Sequence, residues 1–492
     1  MRKFLFVLFA MTLVFGAGTT AMATNGYQLI GIGQLQKSMG GAVTAAPRDS
    51  MTAITNPAGM SRVGSRADFS LEAFMPTRSV DFGKFGGAKT EGGTDMYGIP
   101  AIGWTAPTSK EGWYFGGGMY GTSGLGVDYG EINMAPAVIV NAASTGTYPD
   151  MVTGQSGIYN DVDFNGHSSI MFWKMAPTLA WNVNEKLSVG FALNMDYQSV
   201  AITQKFTKVP FWKSALMGGG GGDPTSTADV MLADVNFDLG RPTSQFGYGF
   251  TIGGLYDIND MVTVGAMYSS KQNFSEAEFR VGAGDVFNFN GALGLPGTYK
   301  MDLDYPSQYA IGVAIKPIEG LLIALDYKVI NWSETHDKVD FSGPAGAFDT
   351  DMEPMNGGET SSTKLNFGWD DQDIIALGVV YAATEDLDLS AGFNKGDAPI
   401  DAADVFNNLV LPATVETHYT LGADYKLGAH WGVGVTYMKA KSAKLVGAND
   451  VPQGFQMASP MFSAGGASPV TSSGIEIALE ETSYGMQLSY RF

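Results

Sequence analysis

Apolar and polar side chains alternate along many short stretches of the chain. The last nine residues read YGMQLSYRF, in which aromatic or apolar residues occupy every second position from Tyr484 to Phe492. Because the side chains of a strand point alternately to its two faces, this pattern predicts a strand with one apolar face. In water, an exposed apolar strand promotes aggregation. The pattern therefore indicates a strand whose apolar face meets lipid.

The same alternation recurs in further stretches, often with Gly or Ala at the small position. They are KLSVGFALNMDYQ (186–198), VTVGAMY (262–268), QYAIGVAI (308–315), LLIALDYKVI (321–330), IIALGVVY (374–381) and HYTLGADYKL (418–427). No helical pattern separates them, so the sequence predicts an all-β, antiparallel sheet. A sheet in lipid cannot leave its edges unpaired, and a closed transmembrane β-barrel removes those edges.

The spacing of turns predicts the number of strands. Short turns alternate with long Gly-rich segments, such as residues 198–245 and 332–371, as in barrels with short periplasmic turns and long extracellular loops. The short turns are Pro107–Gly112, Asn182–Lys186, Asp257–Asp260, Lys316–Gly320, Ala383–Asp386 and Leu427–His430. Each turn joins two strands. A first strand at about residues 67–75 and the last strand complete a 14-stranded barrel.

The first 23 residues predict a secretory signal peptide. Arg2 and Lys3 precede an apolar run from Phe4 to Phe15, and Ala21-Met22-Ala23 is typical of a cleavage site. The alternative is a membrane anchor, but the apolar run is shorter than the roughly 20 residues that a spanning helix needs. We therefore expect an exported protein.

Composition narrows the range of functions. The chain has a formal net charge of −20, four histidines and no cysteine. A strongly negative charge argues against nucleic-acid binding. Without cysteine the chain forms no disulfides, and with few histidines it offers little material for a transition-metal site. We expect no cofactor and no bound metal.

Residues 24–62 do not follow the alternating pattern. The segment is rich in Ala, Gly, Ser and Met and is too short to form a core of its own. A 14-stranded barrel, by contrast, has a lumen too wide for its own side chains to fill. We expect the segment to fold inside the barrel as a plug. The alternative, a periplasmic tail, is disfavoured by the regularly placed apolar residues Tyr27, Leu29, Ile30, Leu35, Met39 and Val43.

Several stretches carry a resemblance to a known family. The segment 24–62 contains Asn56-Pro57-Ala58-Gly59 and resembles the N-terminal hatch of the FadL/TodX family of outer-membrane transport proteins for long-chain fatty acids and hydrophobic compounds. Residues 305–333, 369–400 and 411–442 are similar to the later hairpins of that family in order and spacing. The resemblance implies three parts: a signal peptide (1–23), a hatch (24–62) and a transmembrane β-barrel (63–492) in the outer membrane of a Gram-negative bacterium.

The resemblance also implies a mechanism, which is passive transport. Extracellular loops capture a hydrophobic compound, the lumen binds it, the hatch moves, and the compound leaves sideways near the third strand. The expected partners are hydrophobic small molecules such as long-chain fatty acids, outer-membrane lipid and lipopolysaccharide, and the barrel-assembly machinery during biogenesis. We expect a monomer.

One stretch is a candidate for the capture of ligand. KFTKVPFWKSALM (205–217), interpreted as a loop after the fifth strand, mixes aromatic and apolar residues with lysines. Exposed apolar side chains beside ammonium groups suit an apolar tail with an anionic head. The alternative is a loop that packs on its neighbours. The candidate residues are Phe206, Lys208, Phe211, Trp212, Lys213, Leu216 and Met217.

Two further candidates lie on strands. Strand parity turns Lys316, Lys328, Lys426 and Arg491 inward, and Lys328 is the best placed to anchor a carboxylate in mid-lumen, unless it pairs with Asp326. In the third strand, WYFGGGMYGTSGLG contains Gly116, Gly117, Gly118, Gly121 and Gly124. Clustered glycine in a strand predicts a kink or bulge, and the lateral opening that the resemblance implies falls here.

Two other functions stay open. A general diffusion porin has an open, charged lumen, and an outer-membrane lipid hydrolase needs a histidine beside a nucleophilic serine. His167, His336, His418 and His430 share no local motif with a serine, so we expect no catalytic residues. The acidic residues Asp349, Asp351 and Glu353 are interpreted as a solvated loop or, alternatively, a calcium site.

Overall fold

The computed structural model describes residues 24–93, 96–135, 138–139, 158–159, 162–212, 230–282, 295–348, 360–441, 444–459, 463–464 and 468–492. Fourteen antiparallel strands form a closed barrel, because the last strand pairs with the first from Arg491↔Arg66 to Glu476↔Asp81. The predicted fold class is confirmed. The predicted signal peptide and residues 349–353 lie outside the described residues.

The barrel strands follow one another around the wall in chain order. They are β1 (Arg66–Asp81), β2 (Tyr97–Pro107), β3 (Trp113–Ala135), β4 (Val162–Met175 and Thr178–Asn182), β5 (Leu187–Trp212), β6 (Val230–Asn259), β7 (Val262–Ser269), β8 (Gln308–Ile318), β9 (Leu321–Ile330), β10 (Gln372–Ala382), β11 (Leu387–Gly396), β12 (Thr417–Leu427), β13 (Trp431–Lys441) and β14 (Glu476–Arg491). All six short turns lie where the sequence predicts them. β1 is longer than predicted.

Alternation separates the two faces of the wall. Leu325 on β9 and Leu488 on β14 are exposed on the outer face, whereas their neighbours Asp326 and Gln487 are buried on the inner face. Lipid accepts the apolar outer side chains without cost, and the inner face is free to carry small or polar groups. This is the physical reason for the period of two in the sequence.

Long segments at the end opposite the short turns form a structure that we call the cap. It contains a four-stranded sheet (Ala277–Val281, Gly297–Met301, Lys338–Pro344 and Thr360–Asn366), the outer ends of β3 to β6, the α-helices Ser333–His336 and Gln453–Ala458, the 3-10 helices Gly83–Phe85 and Val405–Asn408, and short strands at 89–91, 138–139, 158–159, 273–274, 444–446, 463–464 and 468–469. A large cluster of buried apolar side chains holds these segments together.

Residues 24–62 contact inward-facing groups on several sides of the barrel. The segment contains short strands (Thr24–Asn25 and Gln28–Leu29), two α-helices (Gln34–Lys37 and Thr52–Thr55) and a 3-10 helix (Pro57–Ser61), and it is almost entirely buried. Its hydrogen bonds reach Gln487 on β14, Thr420 on β12, Asp326 on β9 and Gly254 on β6. Among the described residues, no helix is both long and apolar enough to cross a membrane.

Glycines of the inner wall make this close approach possible. A Cβ atom at Gly485 of β14 would lie 1.8 Å from the Gln34 side chain, and one at Gly253 of β6 would lie 2.1 Å from Asn56. The small inward positions in the alternating pattern therefore leave room for residues 24–62 rather than for water alone.

Candidate functional site

A cavity of about 70 Å³ lies between residues 24–62 and the inner wall, and we call it the lumen cavity. Its apolar lining includes Leu29, Ile30 and Ile54 of the N-terminal segment and Met267 of β7. Its polar lining includes Asn25, Gln28, Lys174, Tyr305, Gln308, Asp326 and Lys328. A cavity with one apolar side and a few convergent polar groups is typical of a binding site for an amphipathic small molecule.

Lys328 lines this cavity, in agreement with strand parity. The carboxylate of Asp326 instead accepts a hydrogen bond from the backbone N–H of Thr44 at 2.8 Å. Lys328 belongs to none of the ion pairs formed among the described residues. Its ammonium group is therefore open to an anion that enters the cavity.

Lys174 is a second ammonium group in the lumen cavity, and the sequence reasoning missed it. Its Nζ lies 4.0 Å from an oxygen of Asp196, and both side chains are buried. The signal was present, because β4 alternates buried Phe172 and Lys174 with Met171 and Met175 on the outer face. Two lysines from strands β4 and β9 thus meet at one cavity.

The wall of the barrel has a gap between β2 and β3. Their pairing runs from Pro107↔Tyr114 to Ala101↔Tyr120 and stops there. β2 continues along β1 as far as Phe74↔Tyr97, and β3 continues along β4 with a register shift between Gly121 and Ser123. Residues 97–100 and 121–124 therefore face each other without ladder hydrogen bonds.

A second cavity, of about 110 Å³, fills this gap, and we call it the wall cavity. Leu29 and Phe172 line it from the interior, and Met171, whose side chain is on the lipid side, also borders it. Leu29 also lines the lumen cavity. The two cavities are neighbours, separated by the N-terminal segment.

The N-terminal segment takes the place of the missing partner strand at the gap. Gln28 pairs with Ser123 in an antiparallel bridge, and the N–H of Gly124 donates to the carbonyl of Tyr27 at 3.0 Å. Of the predicted glycines, Gly121 and Gly124 border the wall cavity. Because lipid cannot satisfy a free backbone group, this contact supplies a partner where β2 does not.

Gly116, Gly117 and Gly118 lie outside the gap. They lie in the fully paired part of β3, opposite Thr105, Trp104 and Gly103. A Cβ atom at Gly118 would lie 1.9 Å from the Ile102 carbonyl, and Gly117 has a φ of 131° next to the break in β4 at residues 176–177. At these three positions neighbouring backbones pack so closely that a side chain would collide with them.

The predicted capture loop is not a loop in this structure. Residues 205–212 continue strand β5. Phe206 and Phe211 are only 3% and 7% exposed, and Phe206 stacks on Phe406 with ring centroids 5.6 Å apart. Lys208 pairs with Asp163 at 2.7 Å. The apolar side chains face the core of the cap, so the alternative of packing on neighbours describes the observed arrangement.

The remaining residues of the predicted capture set lie at or after the end of β5. Lys213, Leu216 and Met217 lie outside the described residues, and Trp212 is described only as the last residue of β5.

A different opening exists in the cap: a cavity of about 280 Å³ lined by Ile202, Gln204, Phe237, Leu365, Asn407 and Val451, among others. It mixes apolar side chains with amides and opens between segments that are far apart in sequence.

The Asn56-Pro57-Ala58-Gly59 motif fixes the end of the N-terminal segment to the wall. The Asn56 side chain accepts from the N–H of Ala58 at 3.2 Å, which caps the 3-10 helix, and donates to the carbonyls of Thr44 and Gly254. A Cβ atom at Gly59 would lie 2.2 Å from the Thr52 hydroxyl. The motif is therefore a compact joint between residues 24–62 and β6.

His336 is the histidine that connects the cap to the N-terminal segment. Its Nε2 is 2.9 Å from the hydroxyl of Tyr27, and its Nδ1 is 2.7 Å from that of Thr335. Burial lowers the pKa of His336 to about 3, so the ring is neutral at physiological pH. Among the described residues, no group of three or more His, Asp or Glu side chains is arranged to hold a metal ion.

Known proteins resemble this chain over most of its length. Its overall structure is similar to the toluene transporter TodX of Pseudomonas putida, with a TM-score of 0.64 and 17% identity over 94% of this chain and 99% of TodX. It is also similar to a Pseudomonas aeruginosa FadL homologue, with a TM-score of 0.64 and 15% identity over 95% of this chain and all of the homologue (100%).

Sequence comparison agrees with this likeness. Outer membrane protein P1 of Haemophilus influenzae is 25% identical over 289 residues, a region that spans 56% of this chain and 58% of the relative. The family of outer membrane protein transport proteins (OMPP1/FadL/TodX) matches residues 14–492. The predicted resemblance is confirmed, and the chain belongs to this family of outer-membrane transport proteins.

Proposed function

We propose that this protein is a passive channel for hydrophobic compounds with an acidic head, such as long-chain fatty acids. One observation carries the proposal. The lumen cavity, which has ammonium groups, and the wall cavity, which opens toward lipid, are adjacent and share Leu29. A compound bound in the lumen cavity has only the N-terminal segment to pass before it reaches the membrane.

Lateral release suits an apolar solute better than release into water. Returning a chain to water costs about 0.8 kcal/mol for each methylene group. A path from the lumen cavity through the wall cavity avoids this cost, because Leu29, Phe172 and Met171 offer apolar contact along it. The gap between β2 and β3 is the exit in this proposal.

Two lysines of the lumen cavity are the reason for proposing a ligand with an acidic head. Charge-assisted hydrogen bonds to a carboxylate are roughly twice as strong as neutral ones. Lys328 forms no ion pair among the described residues, and Lys174 is 4.0 Å from Asp196. An acidic head would bring these lysines a partner that a plain hydrocarbon cannot supply.

The proposed hatch movement is local. Residues 34–62 are held by buried polar contacts, including the ion pair of Lys37 with Glu72 and the bond from the Ser50 hydroxyl to Asp68 at 2.6 Å. Breaking a buried pair is costly, since it leaves an uncompensated charge. We therefore place the movement in residues 24–29, which contact the gap, and keep residues 34–62 as a fixed plug.

A reversible staple across the gap tests the exit. A Cβ atom at Gly121 would lie 2.8 Å from Cγ2 of Ile99, so side chains at these two positions come within reach of each other across the gap, as a disulfide between cysteines requires. In cells that depend on this channel, oxidised Ile99→Cys/Gly121→Cys should take up a labelled long-chain acid at the background rate. A reductant should restore uptake.

A staple in the closed part of the same seam is the matched control. Ile102 and Met119 are paired residues on the outer face. Ile102→Cys/Met119→Cys should leave uptake unchanged. Unchanged uptake with the first staple would exclude this exit, and equal uptake with and without the protein would exclude the proposed function.

A further inference from the structure

Tyr305 lies where the lumen cavity, the N-terminal segment and the gap meet. Its ring is buried, with centroids 4.4 Å from Phe172 and 5.8 Å from Tyr27. Its backbone is fixed by two hydrogen bonds with Gln272, of 2.9 and 3.2 Å. The side chain is therefore held from the barrel side, so its hydroxyl is a fixed point for whatever it binds.

The hydroxyl of Tyr305 joins two elements that must separate for the gap to open. It donates to Oε1 of Gln28 at 2.8 Å. Its oxygen is also 2.7 Å from the Ser123 hydroxyl. A phenol has one proton, so Ser123 is the donor in the second bond. One oxygen thus ties residue 28 of the N-terminal segment to the bulge of β3.

This set of bonds separates the two cavities. Gln28 and Tyr305 line the lumen cavity, and Ser123 lines the wall cavity. Gln28 has one further side-chain bond, from Nε2 to Gln308 at 3.1 Å. The separation between the cavities therefore depends on neutral hydrogen bonds rather than on a covalent or ionic link.

We propose that the Tyr305 hydroxyl couples the occupancy of the lumen cavity to the opening of the gap. A carboxylate that reaches Lys174 and Lys328 accepts the hydrogen bond of the Tyr305 hydroxyl in place of Gln28. Gln28 then loses its donor, and residues 24–29 lose one of their attachments to β3. The inference rests on the proposed function, because it gives that function its trigger.

The relative strength of the bonds favours the exchange. A carboxylate accepts a hydrogen bond roughly twice as strong as the one an amide oxygen accepts. Burial raises the pKa of the Tyr305 hydroxyl, so the phenol keeps its proton and remains a donor at physiological pH. A hydrocarbon without a head has no acceptor and leaves the bond to Gln28 in place.

Cysteine labelling at Leu29 measures the separation directly. The chain has no cysteine of its own, and Leu29 is 5% exposed and lines both cavities. In purified Leu29→Cys barrel, maleimide labelling should be slow, should accelerate with hexadecanoate, and should not respond to hexadecane. Tyr305→Phe in this background keeps the ring and removes both bonds.

Loss of the Tyr305 hydroxyl should make labelling fast without ligand. We expect Leu29→Cys/Tyr305→Phe to label about fivefold faster than Leu29→Cys, which corresponds to one net hydrogen bond of ~1 kcal/mol. Hexadecanoate should increase the labelling rate of Leu29→Cys/Tyr305→Phe only slightly further. Tyr309→Phe is the matched control, since Tyr309 lies on the outer face of β8 and is 43% exposed. It should not change the labelling rate.

Ser123→Ala provides a second route to the same result. It removes the hydrogen bond between Ser123 and Tyr305 and keeps the Tyr305 side chain, so it can be used if Tyr305→Phe fails to assemble. In the Leu29→Cys background, Ser123→Ala should also accelerate labelling, and Ser123→Ala combined with Tyr305→Phe should label no faster than Tyr305→Phe alone. Labelling at the parent rate in both single variants would overturn the proposed role of the Tyr305 hydroxyl. Failure of the proposed function is a separate result: no protein-dependent uptake of hexadecanoate, with labelling still accelerated by Tyr305→Phe.

Discussion

Two seams of the barrel differ sharply. The seam between β14 and β1 joins the two ends of the barrel sequence and is paired along its whole length, from Arg491↔Arg66 to Glu476↔Asp81. The seam between β2 and β3 joins strands connected by a short turn, yet its pairing ends at Ala101↔Tyr120. Proximity in sequence therefore does not decide how completely two strands pair.

The two seams differ in which segments supply hydrogen-bond partners to the backbones of the strands. Along the β14–β1 seam no other segment is needed, because the ladder is continuous. At the β2–β3 seam, residues 27 and 28 bond to β3 where β2 does not. In lipid, an unpaired backbone group costs several kcal/mol. Residues 27 and 28 thus act at this gap as a substitute strand in place of β2.

Disruption of the closed seam should have the largest effect. Phe492 directly follows β14 and is 71% exposed, and its ring packs on that of Tyr490 with centroids 5.2 Å apart. Phe492→Lys puts a charge on the lipid face, at a cost between about 1 kcal/mol near the interface and about 4 kcal/mol at the midplane. We expect most of the heat-modifiable barrel to be lost, as measured by its gel shift.

Arg491→Gln is the control for this seam. Arg491 has the opposite strand parity, and its backbone N–H bonds to the His430 carbonyl at 2.7 Å, a contact that the substitution keeps. Assembly of this variant should be close to normal. Equal yields of barrel from the two variants would show that the assignment of faces at the end of β14 is wrong.

Removal of residues 24–62 tests the substitute strand and the plug together. Each barrel strand pairs with barrel strands on both sides, so a barrel should still assemble. The lumen should fill with water, since a barrel of this size is too wide for its own side chains to fill. We expect a large increase in conductance in planar bilayers and a loss of uptake of long-chain acids.

A point variant at the edge of the same segment gives the comparison. Arg62→Ala removes the ion pair with Asp257, at 2.7 Å, at a position where both side chains are partly exposed. Such pairs contribute little, so the plug should stay and conductance should remain low. If the deletion conducts no better than the intact protein, residues 24–62 do not close the lumen.

Much of the fold was predictable because lipid imposes a simple code. Alternation and turn spacing give fourteen strands, and the six short turns lie at the predicted places. The same code misleads at residues 205–212. There the alternation continues beyond the membrane, and buried Phe206 faces the core of the cap instead of a ligand. Alternation reports that one face is apolar, not which partner covers it.

The site was less predictable because it depends on contacts between distant segments. Lys174 could have been found from the parity of β4, as Lys328 was from that of β9. Nothing local to Tyr305 or Ser123 reveals their 2.7 Å contact, which depends on a bulge in β3 and on a loop before β8. The gap has the same origin, since sequence periodicity does not show where a ladder stops.

The smallest predicted effect concerns pH at the open seam. Tyr27, whose carbonyl bonds to β3, also contacts the neutral ring of His336. Burial lowers the pKa of His336 from 6.5 to about 3. When this contact opens, the ring regains its ordinary pKa and takes up a proton below pH 6.5. The stabilisation of residues 24–29 is therefore complete above pH 6.5 and declines as the pH falls toward about 3.

Hydrogen exchange of residues 24–29 measures this decline. Between pH 7.5 and pH 5, the opening equilibrium should rise roughly thirtyfold after correction for the intrinsic exchange rate. His336→Phe keeps an aromatic ring but cannot titrate, so exchange in that variant should respond much less to pH over this range. Comparison with this variant also controls for other titrating groups. One of them is Asp404, which is present in both proteins and whose pKa is raised to about 6 by burial and by the nearby charge of Asp401. An equal pH response in the two proteins would assign the effect to the carboxylates of the cap and remove His336 from the closure of the seam.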